Sequence, residues 1–105
     1  TGGGLLENPP RAFKDQLSAH IDATSWSLPP VYKWLMKTNL IKPEELAQTF
    51  NCGIGMIVIA DPSLVKNVIQ ELTNLGETVH ELGVLKKRPK SLPKVTIENI
   101  ASWKN

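Results

Sequence analysis

The residues best suited to chemistry stand in the first eleven positions, TGGGLLENPPR. Consecutive glycines let the backbone approach a ligand closely, and the start of a helix directs unpaired N–H groups toward an anion. The string lacks the Gly-Lys-Ser/Thr of a Walker motif and the spacing of GxGxxG. By itself it indicates an anion-binding turn, a flexible tail or a tight structural turn. The candidate ligand-facing residues are Thr1, Gly2, Gly3, Gly4, Glu7, Asn8 and Arg11.

Cys52, in the stretch NCGIGM, is the only cysteine and therefore the only candidate thiol nucleophile. The available bases are His20 and His80, and neither forms a recognisable Cys-His signature. We therefore interpret Cys52 as a small buried residue and assign no catalytic residue. The histidines and the cysteine do not show the spacing of metal ligands, so no metal site is predicted.

The clearest element that could position these residues is a helix over residues 61–76. Its apolar side chains fall on one helical face and its polar side chains largely on the other. Asp61 can cap the first N–H groups, and Pro62 suits the first helical position. Gly76 can adopt the left-handed conformation that ends a helix.

Shorter elements surround this helix. A continuous apolar run at Met56–Ala60 predicts a buried strand, and Gly53 and Gly55 mark a close backbone approach at its entry. Helices are predicted from about Pro30, with Val31, Trp34 and Leu35 as an apolar stripe, and from Pro43. Trp34 is predicted to be core, and Trp26 either packs or lines a cleft. Further strands are predicted at 18–22, 77–87 and 94–99. Together these elements predict an α/β layer with helices on a sheet.

Composition defines the broad class. The chain has 105 residues, 41% of them hydrophobic and 21% charged, which fits one globular domain. The net charge is only +2, and the basic cluster between Lys86 and Lys90 has no interleaved aromatic residues, which argues against nucleic acid. No apolar run approaches the ~20 residues of a membrane span, and one cysteine agrees with a reducing compartment. The expected setting is the cytosol.

Four stretches together resemble one enzyme family: TGGGLLENPPRAF, HIDATSWSLPPVYKWL, ELAQTFNCGIGMIVI and GETVHELGVL. Their order and approximate spacing resemble phosphoribosylformylglycinamidine cyclo-ligase, also called aminoimidazole ribonucleotide synthetase. The resemblance covers nearly the whole chain, and TGGG…EN.PR with TFNCGIGM is a specific combination. The tail GVLKKRPKSLPKVTIEN resembles the fungal form, in which this ligase is the C-terminal part of a bifunctional protein with glycinamide ribonucleotide synthetase.

This resemblance implies a fold and a place in a longer protein. It implies an α/β (α+β) fold with a mixed β-sheet flanked by helices, of which residues 1–105 are the second half of a PurM-like C-terminal domain. The N-terminal domain, with much of the ATP site and the dimer interface, would precede the chain, as would the first part of this domain. The implied parent is a cytosolic homodimer that uses ATP and Mg at sites largely outside this chain.

The implied reaction is the ATP-dependent ring closure of formylglycinamidine ribonucleotide in purine biosynthesis. Such chemistry asks for positioning and charge stabilisation more than for a protein nucleophile. The resemblance assigns the N–H groups of the three glycines to a substrate phosphate, with Asn8 and Arg11 nearby. It also assigns Asn51 and Gly53 to the lining of the cleft. The fragment alone is expected to be inactive.

Pro9 departs from the family, which usually has Ile there. Proline removes an N–H group and disfavours helical geometry at Asn8, so the helix after the glycines is expected to be shorter or kinked.

Two other interpretations stay open. The chain could belong to a related ATP-using enzyme with a PurM-like C-terminal module, or it could be a non-catalytic docking or folding unit. TFNCGIGM together with TSWSLPP favours the cyclo-ligase. A half-domain would also leave a sheet edge and an apolar face uncovered, which favours self-association.

Overall fold

The computed structural model describes residues 3–104, which form a small mixed sheet with flanking helices. The strands are β1 (Leu17–Asp22), β2 (Gly83–Lys87) and β3 (Val95–Glu98). The α-helices of the described part are α1 (Gly4–Glu7), α2 (Pro30–Lys37), α3 (Pro43–Thr49) and α4 (Val65–Asn74). Short 3-10 helices cover Pro9–Ala12, Pro62–Leu64 and Ile100–Lys104. The predicted α+β class with a mixed sheet is confirmed.

The central strand of the sheet is β1, and the strand order is β2-β1-β3. β1 pairs antiparallel with β2, with Leu17 opposite Lys87, and parallel with β3, with Ala19 opposite Val95. The predicted strands at 18–22 and 94–99 are confirmed. The strand predicted at 77–87 forms only over Gly83–Lys87, so its first part is wrong and His80 lies outside the sheet.

One apolar core joins β1 to α3 and to the segments that follow β1 and β3. Leu46 of α3 and Cys52 are fully buried, and Ile21 of β1 is 4% exposed. The rings of Trp26 and Trp103 meet edge to face with their centroids 5.9 Å apart. Such aromatic pairs add about 0.5–1.5 kcal/mol beyond the area they bury. The Trp26 side chain thus packs in the core, and its indole also borders a small hollow beside Thr24.

The predicted helix at 61–76 is confirmed as a 3-10 turn that continues into α4. The Asp61 carboxylate accepts hydrogen bonds from the backbone N–H of Ser63 at 2.9 Å and from its hydroxyl at 2.8 Å. At the other end, the N–H of Gly76 donates to Thr73 and that of Glu77 donates to Leu72. These two bonds form a Schellman motif, which is the stop expected at Gly76.

The buried strand predicted at Met56–Ala60 is wrong. These residues belong to no strand, and Met56 is 84% and Val58 54% exposed. The central strand β1 already has β2 on one side and β3 on the other, and neither of these edge strands pairs with residues 56–60. An apolar run shows that burial of the segment would be favourable in free energy, but a buried strand also needs a partner strand.

The apolar stripe predicted for α2 is largely wrong as well. Val31 is 58% and Trp34 63% exposed, while Leu35 is half-buried. The buried residue of α2 is Met36, because the helix contacts the C-terminal 3-10 helix through a different face. Trp34 is therefore a surface residue and does not belong to the core.

The short helix expected from Pro9 is confirmed, but the expectation that Asn8 departs from helical geometry is wrong, since Asn8 has φ −77° and ψ −48°. Helix α1 spans only four residues and gives way at Asn8 to the 3-10 helix that begins with Pro9. Pro9 and Pro10 lack backbone N–H groups, so the α-helical hydrogen bonds cannot continue through them.

Candidate functional site

The glycine turn leads directly into α1. Gly3 is its N-cap residue with φ +94°, and Gly4 follows with φ +52°, both in the left-handed region that favours glycine. The carbonyl of Gly3 accepts a hydrogen bond from the N–H of Glu7 at 3.1 Å. Two other predicted site residues, Thr1 and Gly2, lie outside the described residues.

Asn8 and Arg11 follow this turn in the sequence and differ in how their side chains are engaged. Asn8 Nδ2 donates to the carbonyl of Gly4 at 2.9 Å, so its amide closes the end of α1. The backbone N–H of Arg11 donates to the carbonyl of Asn8 at 3.1 Å, and the Arg11 side chain is exposed. Asn8 is thus engaged within the turn, whereas Arg11 presents its charge to solvent.

The second predicted group lies in a tight turn after α3. Asn51 Oδ1 accepts hydrogen bonds from the N–H of Gly53 at 2.9 Å and from the hydroxyl of Tyr32 at 3.1 Å. Cys52 and Gly53 have φ values of +56° and +94°. A Cβ atom on Gly53 would come within 2.6 Å of the Pro29 ring, so glycine is required for the turn to pack there. The side chain of Asn51 therefore holds this turn together.

The end of α3 brings the two turns next to each other. Gly4 is buried, and a Cβ atom there would collide with the carbonyl oxygens of Ala47 and Phe50. Phe50 immediately precedes Asn51. The two turns selected from the sequence, at residues 2–4 and 51–53, are therefore neighbours in space. Gly4 itself serves close packing of α1 on α3.

Cys52 lies beneath the second turn and is structural. It is fully buried, and its Sγ lies 3.7 Å from the carbonyl oxygens of both Leu46 and Phe50. Burial raises the pKa of the Cys52 thiol to about 12. Because the thiolate is the nucleophile, such a thiol is unreactive near neutral pH. The sequence-based interpretation of Cys52 as a buried residue is confirmed.

A serine, a histidine and a glutamate on the sheet superficially imitate a hydrolase triad. Ser18 Oγ lies 3.0 Å from His20 Nε2, and His20 Nδ1 lies 3.6 Å from Glu98 Oε1. Ser18 is only 2% exposed, however, so no substrate can reach its hydroxyl. A nucleophile must face both its base and a reacting carbon. This arrangement joins β1 to β3 and does not form a catalytic site.

The sequence analysis missed a polar junction where β1 and β3 end. Asp22 Oδ1 accepts hydrogen bonds from the Thr24 N–H at 2.9 Å, the Thr24 hydroxyl at 2.7 Å and Asn99 Nδ2 at 3.1 Å. The hydrogen bonds from Thr24, followed by that from Asn99, lower the pKa of the Asp22 carboxyl. The pattern Asp-x-Thr is a local signal for the first two bonds. The third joins residues 77 apart and has no local signal.

The described residues offer no group suited to a metal ion. Within residues 3–104, no three histidine, cysteine, aspartate or glutamate side chains are grouped closely enough to hold one. No helix in this range is long and apolar enough to cross a membrane. A shallow groove does run along the other side of α1, between Glu7 and Pro10 on one wall and Pro93 and Lys94 on the other.

Known proteins match this chain along most of its length. The bifunctional purine biosynthetic protein PUR2,5 of Pichia angusta is 48% identical over 99 residues, which are 94% of this chain and 12% of that protein. The bifunctional purine biosynthetic protein ADE5,7 of Saccharomyces cerevisiae is 44% identical over the same shares. Phosphoribosylformylglycinamidine cyclo-ligase of Aromatoleum aromaticum is 40% identical over 97 residues, which are 92% of this chain and 28% of that enzyme.

The mixed sheet and its helices define the chain as an α+β domain. The family described as "AIR synthase related protein, C-terminal domain" matches residues 1–95, and the chain belongs to this family. It spans between 12% and 28% of the length of the three relatives above.

Proposed function

We propose that this chain is part of an ATP-dependent cyclo-ligase that converts formylglycinamidine ribonucleotide to aminoimidazole ribonucleotide in purine biosynthesis. The observation that carries the proposal is the 40% identity, over 92% of the chain, to a relative named phosphoribosylformylglycinamidine cyclo-ligase. The similarity to bifunctional purine biosynthetic proteins supports the same pathway. The cytosol is the proposed location.

In this proposal residues 1–105 are the second half of one domain in a longer, homodimeric polypeptide. The small share of each relative that the chain covers supports this division. ATP and Mg would bind mainly elsewhere in that polypeptide, as the resemblance to the cyclo-ligase family implies. The described residues would therefore bind and orient the substrate.

The glycine turn would hold the substrate phosphate. The first N–H groups of any helix lack partners within the helix, and the left-handed backbone at Gly3 and Gly4 shapes the approach to them. Gly2 and Thr1 would complete the turn. The exposed guanidinium of Arg11 would supply a positive charge and two parallel hydrogen bonds to phosphate oxygens.

Asn51 and Gly53 would line the cleft beside this turn. Their turn meets the glycine turn at the end of α3, which is the support for this part of the proposal. A buried, protonated Cys52 agrees with a reaction that needs positioning and charge stabilisation rather than a protein nucleophile.

The sharpest test replaces Arg11, which is exposed and whose loss should leave the fold intact. In the full-length polypeptide, Arg11→Gln should raise KM for formylglycinamidine ribonucleotide about 10- to 100-fold, since a hydrogen bond to a charged group contributes about 1.5–3 kcal/mol. Lys14→Gln is the matched control, because Lys14 is exposed, nearby and equally charged. Steady-state kinetics with varied substrate decide the outcome.

Equal KM values for the two variants would show that Arg11 does not contact the substrate. A second pair then tests the turn itself: Gly3→Ala against Gly76→Ala, since both glycines have φ +94°. A Cβ atom on Gly3 would also come within 2.6 Å of Glu7, whereas one on Gly76 would meet nothing within 4 Å, so the Tm of each variant is measured beside its KM. Only Gly3→Ala should impair substrate binding. A full-length polypeptide that forms no aminoimidazole ribonucleotide would refute the proposed function altogether.

A further inference from the structure

Residues 56–60, with the sequence MIVIA, form a largely exposed stretch outside any helix or strand, which we call the open segment. Met56 is 84%, Val58 54% and Ile59 44% exposed. Single exposed apolar residues are ordinary, but a contiguous run of this kind marks a surface that another element covers. Its β-branched side chains favour a strand, and an unpaired apolar strand is an aggregation hazard.

Helix α4 carries a second apolar surface that is only partly covered, since Val65, Val68, Ile69 and Leu72 are half-buried. Leu75 at its end is 79% exposed and Leu64 just before it is 51% exposed. Among the described residues, no apolar side chain of α4 belongs to the core or to the half-buried residues packed against it. An amphipathic helix is stabilised mainly by the burial of its apolar face. Neither the open segment nor the apolar face of α4 packs against the core of the described residues.

The sheet in the described residues does not provide that layer. Its central strand β1 has both of its neighbours, and within the described residues the open segment pairs with neither edge strand, β2 or β3. The cyclo-ligase relative has about seven-tenths of its length outside the region matched by this chain, which is ample to supply a strand.

We infer that the open segment forms a strand with the first half of its own domain, the part of the polypeptide proposed to precede residue 1. The apolar face of α4 packs on the sheet completed in this way. The inference rests on the proposed function only in that it takes the chain as part of a longer polypeptide. Backbone pairing would satisfy the N–H and C=O groups of the open segment and bury its side chains.

Hydrogen–deuterium exchange on the full-length polypeptide tests the pairing without any activity measurement. Amides of the open segment should exchange at least about tenfold more slowly than those of the loop at 89–92, and nearer to those of β1. The measurement is made at two protein concentrations tenfold apart. Rapid exchange at both concentrations overturns the inference. Protection that appears only at the higher concentration also overturns it, because a second copy would then be the partner.

A matched pair of charges tests α4. Leu75→Asp and Asn74→Asp place the same charge at adjacent exposed positions, so within residues 3–104 alone they should behave alike. In the full-length polypeptide, Leu75→Asp should lower Tm by several degrees more than Asn74→Asp does. The reason is that the aspartate at position 75 would place a charge in the packed apolar face. Equal Tm values would show that nothing covers this face. A polypeptide with a protected open segment but no cyclisation would retain this inference and lose the proposed function.

Discussion

Two parts of the molecule have similarly apolar sequences but different burial. Around β1 and α3, the apolar residues Ile21, Leu46 and Cys52 are almost fully buried. Between residues 56 and 76, Met56, Val58 and Leu75 are each more than half exposed. The difference shows that apolar character and even correct secondary structure do not secure burial, which also needs a partner from a distant part of the chain.

Hydrogen bonding divides the two parts in the same way. In the packed part, the Trp26 indole N–H donates to the carbonyl of Cys52 at 2.9 Å, and that of Trp103 donates to Ala23 at 3.3 Å. These bonds join residues 26 and 80 apart in the sequence. Around α4, the bonds at both ends join residues at most five apart. The packed part is thus held by long-range bonds, whereas α4 is held at its ends by local ones.

The largest effect should come from Leu46, at the centre of the packed part. Leu46→Ala should lower the free energy of unfolding by about 2–5 kcal/mol, because a fully buried leucine leaves a cavity. Gln48→Ala on the exposed side of α3 is the control and should change it by less than about 0.5 kcal/mol. Denaturant unfolding of the full-length polypeptide measures both. Similar values would mean that α3 does not anchor the core.

A smaller effect is expected from the indole hydrogen bonds, and the two tryptophans allow a direct comparison. Trp26→Phe leaves the buried carbonyl of Cys52 without its donor and should cost about 1–3 kcal/mol. Trp34→Phe should cost less than about 0.5 kcal/mol, since Trp34 is 63% exposed. The same unfolding experiment ranks them. A larger loss of stability for Trp34→Phe than for Trp26→Phe would show that Trp34 belongs to the core, as its position in the helical stripe predicted.

The smallest effect concerns the junction at Asp22, and it depends on pH. Hydrogen bonds from Thr24 and Asn99 lower the pKa of the folded Asp22 carboxyl below that of the unfolded chain, about 3.9. Its stabilising contribution is therefore complete above that value and is lost as pH falls through the folded pKa. Asp22→Asn should lower Tm at pH 7, and the difference from wild type should shrink at pH 3. An equal Tm difference at both pH values would contradict this account.

Local signals in the sequence predicted local structure well. Asp61, Pro62 and Gly76 placed the ends of the helix at 61–76, and Pro9 predicted the short α1, because caps and proline act on their own neighbours. The open segment and Trp34 were wrongly assigned to the core because their burial depends on which other segments are adjacent. That information is not contained in the period or composition of a short stretch.

The candidate site shows the same division. The sequence suggested glycine-dependent turns at residues 2–4 and 51–53, and left-handed backbone is found at Gly3, Gly4 and Gly53. That Gly4 packs against the end of α3, next to the second turn, could not be read from the sequence, because it depends on the tertiary contact with Ala47 and Phe50. The binding role assigned to these residues stays a prediction.

The buried thiol beneath the second turn has a practical consequence. A maleimide or an aromatic disulfide can reach Cys52 only when the turn at 51–53 separates from α3 and the thiol ionises. In the chain of 105 residues this is the sole cysteine, so the rate of labelling would report one local opening event without interference from another thiol. If the neighbouring glycine turn holds a substrate phosphate, as proposed, bound substrate should slow the labelling of Cys52 in the longer polypeptide.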